Sequence, residues 1–224
     1  MTAAAEVTTV QDPPLIVTIP GLWNRGVEGW LLRRQISAEA KSSAVVFRYR
    51  TTGDTFEHTR ARLKEFIESL PASPVNLVGH SLGGLLALAA MNDLPAGAIH
   101  RAVLLGPPLR GSRAVRSALA NIPGSRWVIG RKAPLLSGGL DLTPPEGIDV
   151  GVIAGSGGVG LGRAVTRFPG PNDGTIAVDE TYLEGAREHL VMGVTHTGML
   201  FSRDVARQAA CFLRSGRFAQ AAGV

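Results

Sequence analysis

The sequence predicts an α/β fold in which a mostly parallel sheet of about six strands has helices on both faces. Short apolar runs rich in β-branched residues, typical of buried strands, alternate with segments of helical spacing. This alternation is typical of parallel sheets, whose connecting helices cover both faces. Because composition does not shift along the 224 residues, we expect one domain over residues 15–215 after a flexible tail over residues 1–14.

The first half of the chain contains three predicted strands, at residues 15–19, 44–47 and 75–78. Pro20 and Gly21 end the first strand, as turn-forming residues do. Residues with helical spacing separate the first strand from the second, and an amphipathic helix that opens near Gly53 precedes the third. A buried helix over residues 82–91 follows the third strand directly. The order is therefore strand, helix, strand, helix, strand, helix.

The second half contains three more predicted strands, at residues 101–105, 150–154 and 190–194. A polar and basic excursion over about residues 110–147 separates the first two of them. We expect it to form two short helices and at most a small cap, because a large lid needs a longer segment. The last helix is predicted over residues 198–214.

Charge limits the partners that the chain is expected to bind. The formal net charge is +5, and arginine supplies almost all of the positive charge. Basic residues can attract an anionic partner, but no tight basic run or basic patch interleaved with aromatic residues predicts nucleic-acid binding. We interpret the arginines of the excursion as a solvated helical face, with peripheral contact to anionic head groups as the alternative.

Cysteine usage and the terminal sequence bear on the compartment. Cys211 is the only cysteine, so we expect neither an internal disulfide nor a cysteine-based metal site. It lies in an apolar stretch, which predicts a buried thiol. No signal-peptide pattern opens the chain, and no apolar run reaches transmembrane length. These features predict a cytoplasmic protein without a transmembrane segment.

The motif Gly79-His80-Ser81-Leu82-Gly83 lies between a predicted strand and a predicted helix. This context favours a sharp strand-to-helix turn that exposes the hydroxyl of Ser81 above the sheet as a nucleophile. The backbone N–H of Leu82 points into the same space, where it would stabilise a developing negative charge. The alternative is a glycine-rich turn with an incidental serine.

A nucleophilic serine needs a base, and His196 is the best candidate among five histidines. It follows the last strand at its carboxyl end, from which its imidazole can reach Ser81. The other four histidines have less suitable positions: His80 inside the motif, His58 and His100 near the wrong strand ends, and His189 before the sixth strand.

The base needs an acid to orient it, and Asp173 is the candidate. It lies in a loop after the fifth strand, 23 positions before His196 (196 − 173). Residues 172–174 could instead form an ordinary turn, because Asn, Asp and Gly all favour turns. Asp179 competes with Asp173, since it also lies between the fifth and sixth strands, whereas Asp149 lies at the wrong end of its strand.

A second glycine motif, Gly155-Ser156-Gly157-Gly158-Val159-Gly160, fits a dinucleotide-binding fingerprint, with Asp179 lying 19 positions beyond Gly160 (179 − 160). That fingerprint requires a long helix after the motif. Prolines at positions 169 and 171 interrupt the segment, so we expect a flexible loop that carries the acid toward the histidine, and no nucleotide cofactor.

Together these features resemble the α/β-hydrolase superfamily, and within it the small bacterial esterases and lipases. The resemblance covers about residues 15–213 and rests on residues 19–23, 79–84, 172–175 and 196–198. It includes the chain order of serine, acid and histidine. It implies that the backbone N–H of Leu22 is a second oxyanion donor beside that of Leu82. It also implies an acyl pocket near three further residues: Trp23, Met199 and Leu200.

The resemblance implies hydrolysis of a small-molecule acyl ester or lipid through an acyl-enzyme formed by Ser81, His196 and Asp173, without a metal or organic cofactor. One departure is Pro20-Gly21, where many relatives have His-Gly; it keeps the amide of residue 22. A thioesterase or amidase would use the same triad. A third interpretation is a non-catalytic binding module on the same fold. The sequence does not predict the oligomeric state.

Overall fold

Six parallel strands form one sheet in the described part of the computed structural model, residues 13–23 and 29–220. The strands are β1 Ile16–Ile19, β2 Ala44–Val46, β3 Val75–His80, β4 Ile99–Leu105, β5 Asp149–Gly155 and β6 Glu188–Met192. They lie in the order β2-β1-β3-β4-β5-β6, and every neighbouring pair is parallel. The predicted parallel sheet of six strands is confirmed.

Helices cover both faces of this sheet, also as predicted. They are α1 Trp30–Ala40, α2 Phe56–Glu68, α3 Leu82–Asp93, α4 Arg113–Asn121, α5 Ser125–Ile129, α6 Ala133–Gly138 and α7 Arg203–Ser215. Successive strand residues point to opposite faces, and the core divides accordingly. Leu77 packs in the cluster that contains α2 and α3, whereas its neighbour Val78 packs in the cluster that contains α1 and α7.

Helix α3 lies directly behind the strand-to-helix turn and is buried on all sides. Residues 85–90 of this helix are completely buried, which explains why its sequence is apolar all round rather than on one stripe. The helix begins at Leu82, immediately after Ser81, so its N-terminal amides face the carboxyl edge of the sheet. This arrangement holds the turn against the core.

The excursion between β4 and β5 forms three short helices, so the expectation of two is wrong. Ser112 caps α4 by accepting a hydrogen bond from the amide of Val115 at 3.2 Å. Gly124 precedes α5, and a 3₁₀ turn over Gly130–Lys132 joins it to α6. Three apolar residues of the excursion pack into the core: Ile129, Ala133 and Leu136. The excursion is therefore a fixed part of the described structure.

Several element boundaries differ from the predicted ones, among them those of β4, β6 and the last helix. β4 begins at Ile99, so it contains His100, and β6 runs over Glu188–Met192, so it contains His189. The predicted helix over residues 198–214 is divided into a 3₁₀ turn, Gly198–Leu200, and α7. Ser202 causes this division because its hydroxyl accepts the amide of Val205 and starts a new helix.

Two further expectations concern exposure and the chain end. Cys211 is partly exposed rather than buried, because it lies at the side of α7 while the neighbouring Ala210 and Phe212 face the core. No helix among the described residues has both the length and the apolar character needed to cross a membrane. The tail over residues 1–14 lies mostly outside the described residues, so the division into a tail and one domain stays a prediction.

Candidate active site

Ser81 lies at the sharp turn between β3 and α3 with a left-handed backbone, φ 54° and ψ −120°. Such a conformation is strained for a residue with a Cβ and is found where the surroundings enforce it. The amide of Ser81 donates to the carbonyl of Leu105, and its own carbonyl accepts the amide of Gly84, both at 2.8 Å. A Cβ at Gly83 would lie 2.0 Å from the carbonyl oxygen of Ile19. Only glycine therefore allows β1 and α3 to pass this closely.

His196 and Asp173 are joined by two hydrogen bonds. Nδ1 of His196 lies 2.6 Å from Oδ2 of Asp173, and the backbone amide of His196 donates to the carbonyl of Asp173 at 2.9 Å. The second carboxylate oxygen, Oδ1, accepts the amides of Thr175 at 2.9 Å and Ile176 at 2.7 Å. Asp173 is 1% exposed, so its orientation is set by these contacts. The pair fits the predicted roles of base and acid.

The competing acids are engaged elsewhere. Asp179 is exposed and bound by the guanidinium of Arg113 at 2.6 and 2.8 Å. This hydrogen bond holds the pKa of Asp179 below its ordinary value. Asp149 pairs instead with Arg101 and Arg187. Of the three candidate acids, Asp173 is the one that the structure brings to His196.

A cavity of about 710 Å³ opens at Ser81 and His196 and is lined mainly by apolar side chains. Its walls come from the first loop, from α4 and α5, from the loop after β5 and from the turn after His196. Trp23 and Leu200, two of the residues expected near the acyl pocket, line it. Met199 does not: it is completely buried in the core with α1 and α7. Adjacent residues of a tight 3₁₀ turn face different sides, which explains this correction.

The two expected oxyanion donors are the residue after Gly21 and the residue after Ser81. Leu22 lines the cavity, and Leu82 is the first residue of α3, where backbone N–H groups lack an intrahelical acceptor. A Cβ at Gly21 would lie 3.0 Å from Cβ of Ser81. The glycine therefore lets the segment before Leu22 approach the serine closely. The arrangement is compatible with an oxyanion held between the amides of Leu22 and Leu82.

His80 contacts the backbone of His196. Its Nε2 lies 3.0 Å from the carbonyl of His196, so Nε2 carries the proton and donates it, and the two rings lie 4.8 Å apart. Burial lowers the pKa of His80 to about 3, and the electrostatic effect of the nearby His196 is a smaller cause in the same direction. His80 is therefore neutral at physiological pH, and its part in the site is to hold the backbone of His196.

The second glycine motif packs against the loop that contains Asp173. A Cβ at Gly160 would lie 2.8 Å from the carbonyl oxygen of Gly174, the residue after Asp173. The amide of Gly158 donates to the carbonyl of Asn172 at 2.8 Å. Only a short 3₁₀ turn, Leu161–Ala164, follows the motif. Among the described residues, no group of three or more His, Cys, Asp or Glu side chains is arranged to hold a metal ion.

Two buried charged residues that attach the excursion to the rest of the chain were not singled out by the sequence. Glu180 accepts hydrogen bonds from the amides of Arg113 at 2.6 Å and Ala177 at 2.8 Å, which connects α4 to the segment that follows Asp173. Lys132 is 1% exposed and bonds to carbonyls of the loop after β2. The sequence contains one indication that Lys132 is unusual, because lysine is rare in this chain: only three of its 23 Lys and Arg residues are lysines.

A model of the alpha/beta hydrolase family matches residues 16–212 of the chain, whereas none of the curated proteins matches its sequence. The structure is similar to the mature form of a lipase from Bacillus licheniformis, with a TM-score of 0.72, 17% identity and 96% of each chain covered.

It is also similar to an esterase from Exiguobacterium antarcticum, with a TM-score of 0.63, 14% identity, and 91% of this chain and 93% of that one covered. A bromoperoxidase from Bacillus anthracis has a TM-score of 0.61 and 12% identity, with 91% and 92% covered. Identities this low show a shared fold, and the different activities in these names show that the fold alone does not select the reaction.

Proposed function

Because this chain belongs to the alpha/beta hydrolase family, we propose that it is a serine hydrolase that cleaves carboxylic esters. Ser81 is the nucleophile, His196 the base and Asp173 the acid of a catalytic triad. The observation that carries the proposal is the hydrogen bond of 2.6 Å between His196 and the buried Asp173, at a cavity that Ser81 and His196 both line.

The proposed reaction begins when Oγ of Ser81 attacks the ester carbonyl and Nε2 of His196 takes its proton. The amides of Leu22 and Leu82 hold the negative oxygen of the tetrahedral intermediate. His196 then protonates the leaving alcohol, and an acyl group remains on Ser81. A water molecule activated by the same imidazole attacks this acyl-enzyme and releases the acid.

The lining of the cavity supports an ester with an apolar acyl group as the substrate. Most of the lining is apolar, and burying apolar surface contributes about 25 cal/mol for each Å² removed from water. A cavity of about 710 Å³ has room for an extended acyl chain. Acyl esters and lipids of medium or greater chain length are therefore the proposed substrates.

Covalent labelling tests the nucleophile. A fluorophosphonate probe is expected to add once to the wild-type protein, at Ser81, and not at all to Ser81→Ala. Ser69→Ala, which changes an exposed serine at the end of α2, is the matched control and should label normally. Turnover of p-nitrophenyl butyrate by Ser81→Ala should fall by about 10⁴- to 10⁶-fold. Near-normal turnover by that variant would overturn the mechanism.

Two alternatives use the same fold. A thioesterase or amidase would carry the same triad, so rates on matched ester, thioester and amide substrates with one acyl group decide between them. A non-catalytic binding module would give no fluorophosphonate adduct on the wild-type protein. The buried hydrogen bonds of Asp173 favour a catalytic site, because a binding module has no need of an oriented imidazole.

A further inference from the structure

Lys132 lies in the excursion between β4 and β5, which we call the cap, outside the lining of the cavity, and its ammonium group is buried. Nζ donates to three backbone carbonyls of the loop after β2: Asp54 at 2.7 Å, Thr51 at 3.2 Å and Arg50 at 3.3 Å. It also lies 5.5 Å from the centre of the Tyr49 ring. A buried charge is costly unless its donors are satisfied. Here three N–H groups meet three carbonyl oxygens, so the loop and the ammonium fix each other.

The same loop holds the residue that follows Leu22. The hydroxyl of Thr51 accepts the amide of Trp23 at 3.1 Å. The indole N–H of Trp23 donates to the carbonyl of Val128 in α5 at 2.9 Å. The two groups that hold Trp23 therefore come from the loop and the cap, which Lys132 joins.

Trp23 needs this support because its backbone is left-handed, with φ 60°. A bulky residue in that conformation is strained and keeps it only where its surroundings enforce it. The peptide unit between Leu22 and Trp23 would otherwise relax. Relaxation would turn the backbone of Leu22, whose amide is one of the two expected oxyanion donors.

We propose that Lys132 is a positioning residue for the oxyanion hole: it holds the loop at residues 50–54, so that Thr51 fixes Trp23 and thereby the amide of Leu22. This inference rests on the proposed function, since the Leu22 amide has a catalytic role only in an acyl transfer. Lys132 contacts neither substrate nor triad. Its effect on the reaction passes through its three hydrogen bonds to the loop, the hydrogen bond between Thr51 and Trp23, and the strained backbone of Trp23.

The shape of the ammonium group explains why lysine is needed here. Its three N–H groups diverge from one atom and suit three converging carbonyls, whereas a guanidinium is planar and presents its donors in a fork. The chain has 23 Lys and Arg residues, of which only Lys41, Lys64 and Lys132 are lysines. Lys132→Arg keeps the charge but loses the three diverging donors, so it is expected not to restore the wild-type site.

The test compares Lys132→Met, Lys132→Arg and the matched control Lys64→Met, which changes a partly exposed lysine of α2. The rate kcat on p-nitrophenyl butyrate is normalised to the sites labelled by exhaustive fluorophosphonate treatment. In both Lys132 variants kcat and kcat/KM should fall together by at least about tenfold, because a displaced oxyanion donor acts on the transition state. KM and the Lys64→Met enzyme should stay close to wild type.

A second variant keeps the proposal testable if Lys132→Met does not fold. Thr51→Val removes the acceptor of the Trp23 amide while keeping Lys132, and Thr52→Val is its neighbour control. Thr51→Val should lower kcat in the same way and should weaken inhibition by a trifluoromethyl ketone, which forms a tetrahedral oxyanion on the serine, by a similar factor.

The outcomes separate this inference from the proposed function. If the wild type is labelled but kcat per labelled site is normal in every Lys132 variant that folds and in Thr51→Val, Lys132 is structural only and the inference is overturned. If the wild-type protein gives no adduct, the proposed function fails and this inference fails with it. A loss of thermal stability with unchanged kcat per labelled site also counts against positioning.

Discussion

Asp173 divides its two carboxylate oxygens between His196 and the backbone. Oδ2 accepts Nδ1–H of His196 at 2.6 Å, while Oδ1 accepts the amides of Thr175 and Ile176. Two of these donors are backbone amides, and the third belongs to His196, whose own backbone amide donates to the carbonyl of Asp173. The carboxylate therefore cannot rotate without losing hydrogen bonds, and it keeps the proton of the imidazole on Nδ1. Nε2 remains free to accept a proton.

Replacing Asp173 by Asn should therefore nearly abolish the proposed activity. The amide has one oxygen and one NH₂ group, so in either orientation an N–H donor faces another N–H donor. If the NH₂ group faces His196, the imidazole changes tautomer and loses its free Nε2 lone pair. We expect kcat to fall by about 10⁴-fold, measured on p-nitrophenyl butyrate at pH 8.

Asp179→Asn is the matched control for this substitution. Its carboxylate is exposed and paired with Arg113, so the loss of this pair should leave kcat close to wild type and cost at most about 1 kcal/mol of stability. The assignment of the acid would be wrong if Asp179→Asn lost activity while Asp173→Asn kept it.

The turn that carries Ser81 should be intolerant of a single methyl group at Gly83. A Cβ at this position would lie 2.0 Å from the carbonyl oxygen of Ile19, which is backbone and cannot move aside alone. We expect Gly83→Ala to lower the free energy of unfolding in urea by about 3 kcal/mol or more. Gly193→Ala is the control, because a Cβ there meets nothing within 4 Å. Equal stabilities of the two variants would contradict this packing.

Much of the fold followed from local pattern because strand ends and turns are local features. Apolar runs that end in glycine or proline located the strands, and parallel strands bring their carboxyl ends to one edge. That rule placed Ser81, Asp173 and His196 near each other before any contact was known. The hydrogen bond between His196 and Asp173 is the structural counterpart of this expectation.

The parts that could not be predicted depend on contacts between distant segments. The carbonyls that accept hydrogen bonds from Lys132 lie 78 to 82 positions earlier in the chain. The hydrophobic periodicity around Lys132 or around these carbonyls does not predict the contacts. Met199 and Leu200 are neighbours of similar hydrophobicity and both pack in the core, but the geometry of the turn lets only Leu200 also line the cavity. Local sequence pattern does not determine such tertiary contacts.

His80 should make stability depend on pH. Burial lowers its pKa in the folded protein to about 3, whereas an unfolded chain has the ordinary value of 6.5. Below pH 6.5 the His80 side chain therefore binds a proton in the unfolded state but stays neutral in the folded state. The free energy of unfolding consequently falls as the pH falls. At pH 5 this group alone should cost about 2 kcal/mol relative to pH 8.

Urea unfolding of the wild type and of His80→Gln at pH 5 and pH 8 measures the contribution of His80 to this loss of stability. Glutamine can still donate to the carbonyl of His196 but does not titrate, so the variant should lose less stability on acidification, by about 2 kcal/mol. His58→Gln, which changes an exposed histidine of α2, should follow the wild type. An unchanged pH dependence in His80→Gln would show that His80 takes up its proton in the folded protein.

The cap should set the acyl-chain preference through Ala118 of α4. This residue lines the cavity, whereas Ala120 on the same helix is exposed and outside the lining. A phenyl ring at position 118 would occupy space that a long acyl chain needs and would leave the region next to Ser81 open. We expect Ala118→Phe to lower kcat/KM for p-nitrophenyl decanoate by at least about tenfold relative to the butyrate ester.

Ala120→Phe adds the same side chain to the same helix and should leave the ratio of the two rates at the wild-type value. The ratio, rather than either rate, is the quantity to compare, because a general loss of folded protein lowers both rates equally. If Ala118→Phe depressed both esters by the same factor, the acyl chain would not lie against α4. The cavity beneath the cap would then hold another part of the substrate, such as the alcohol.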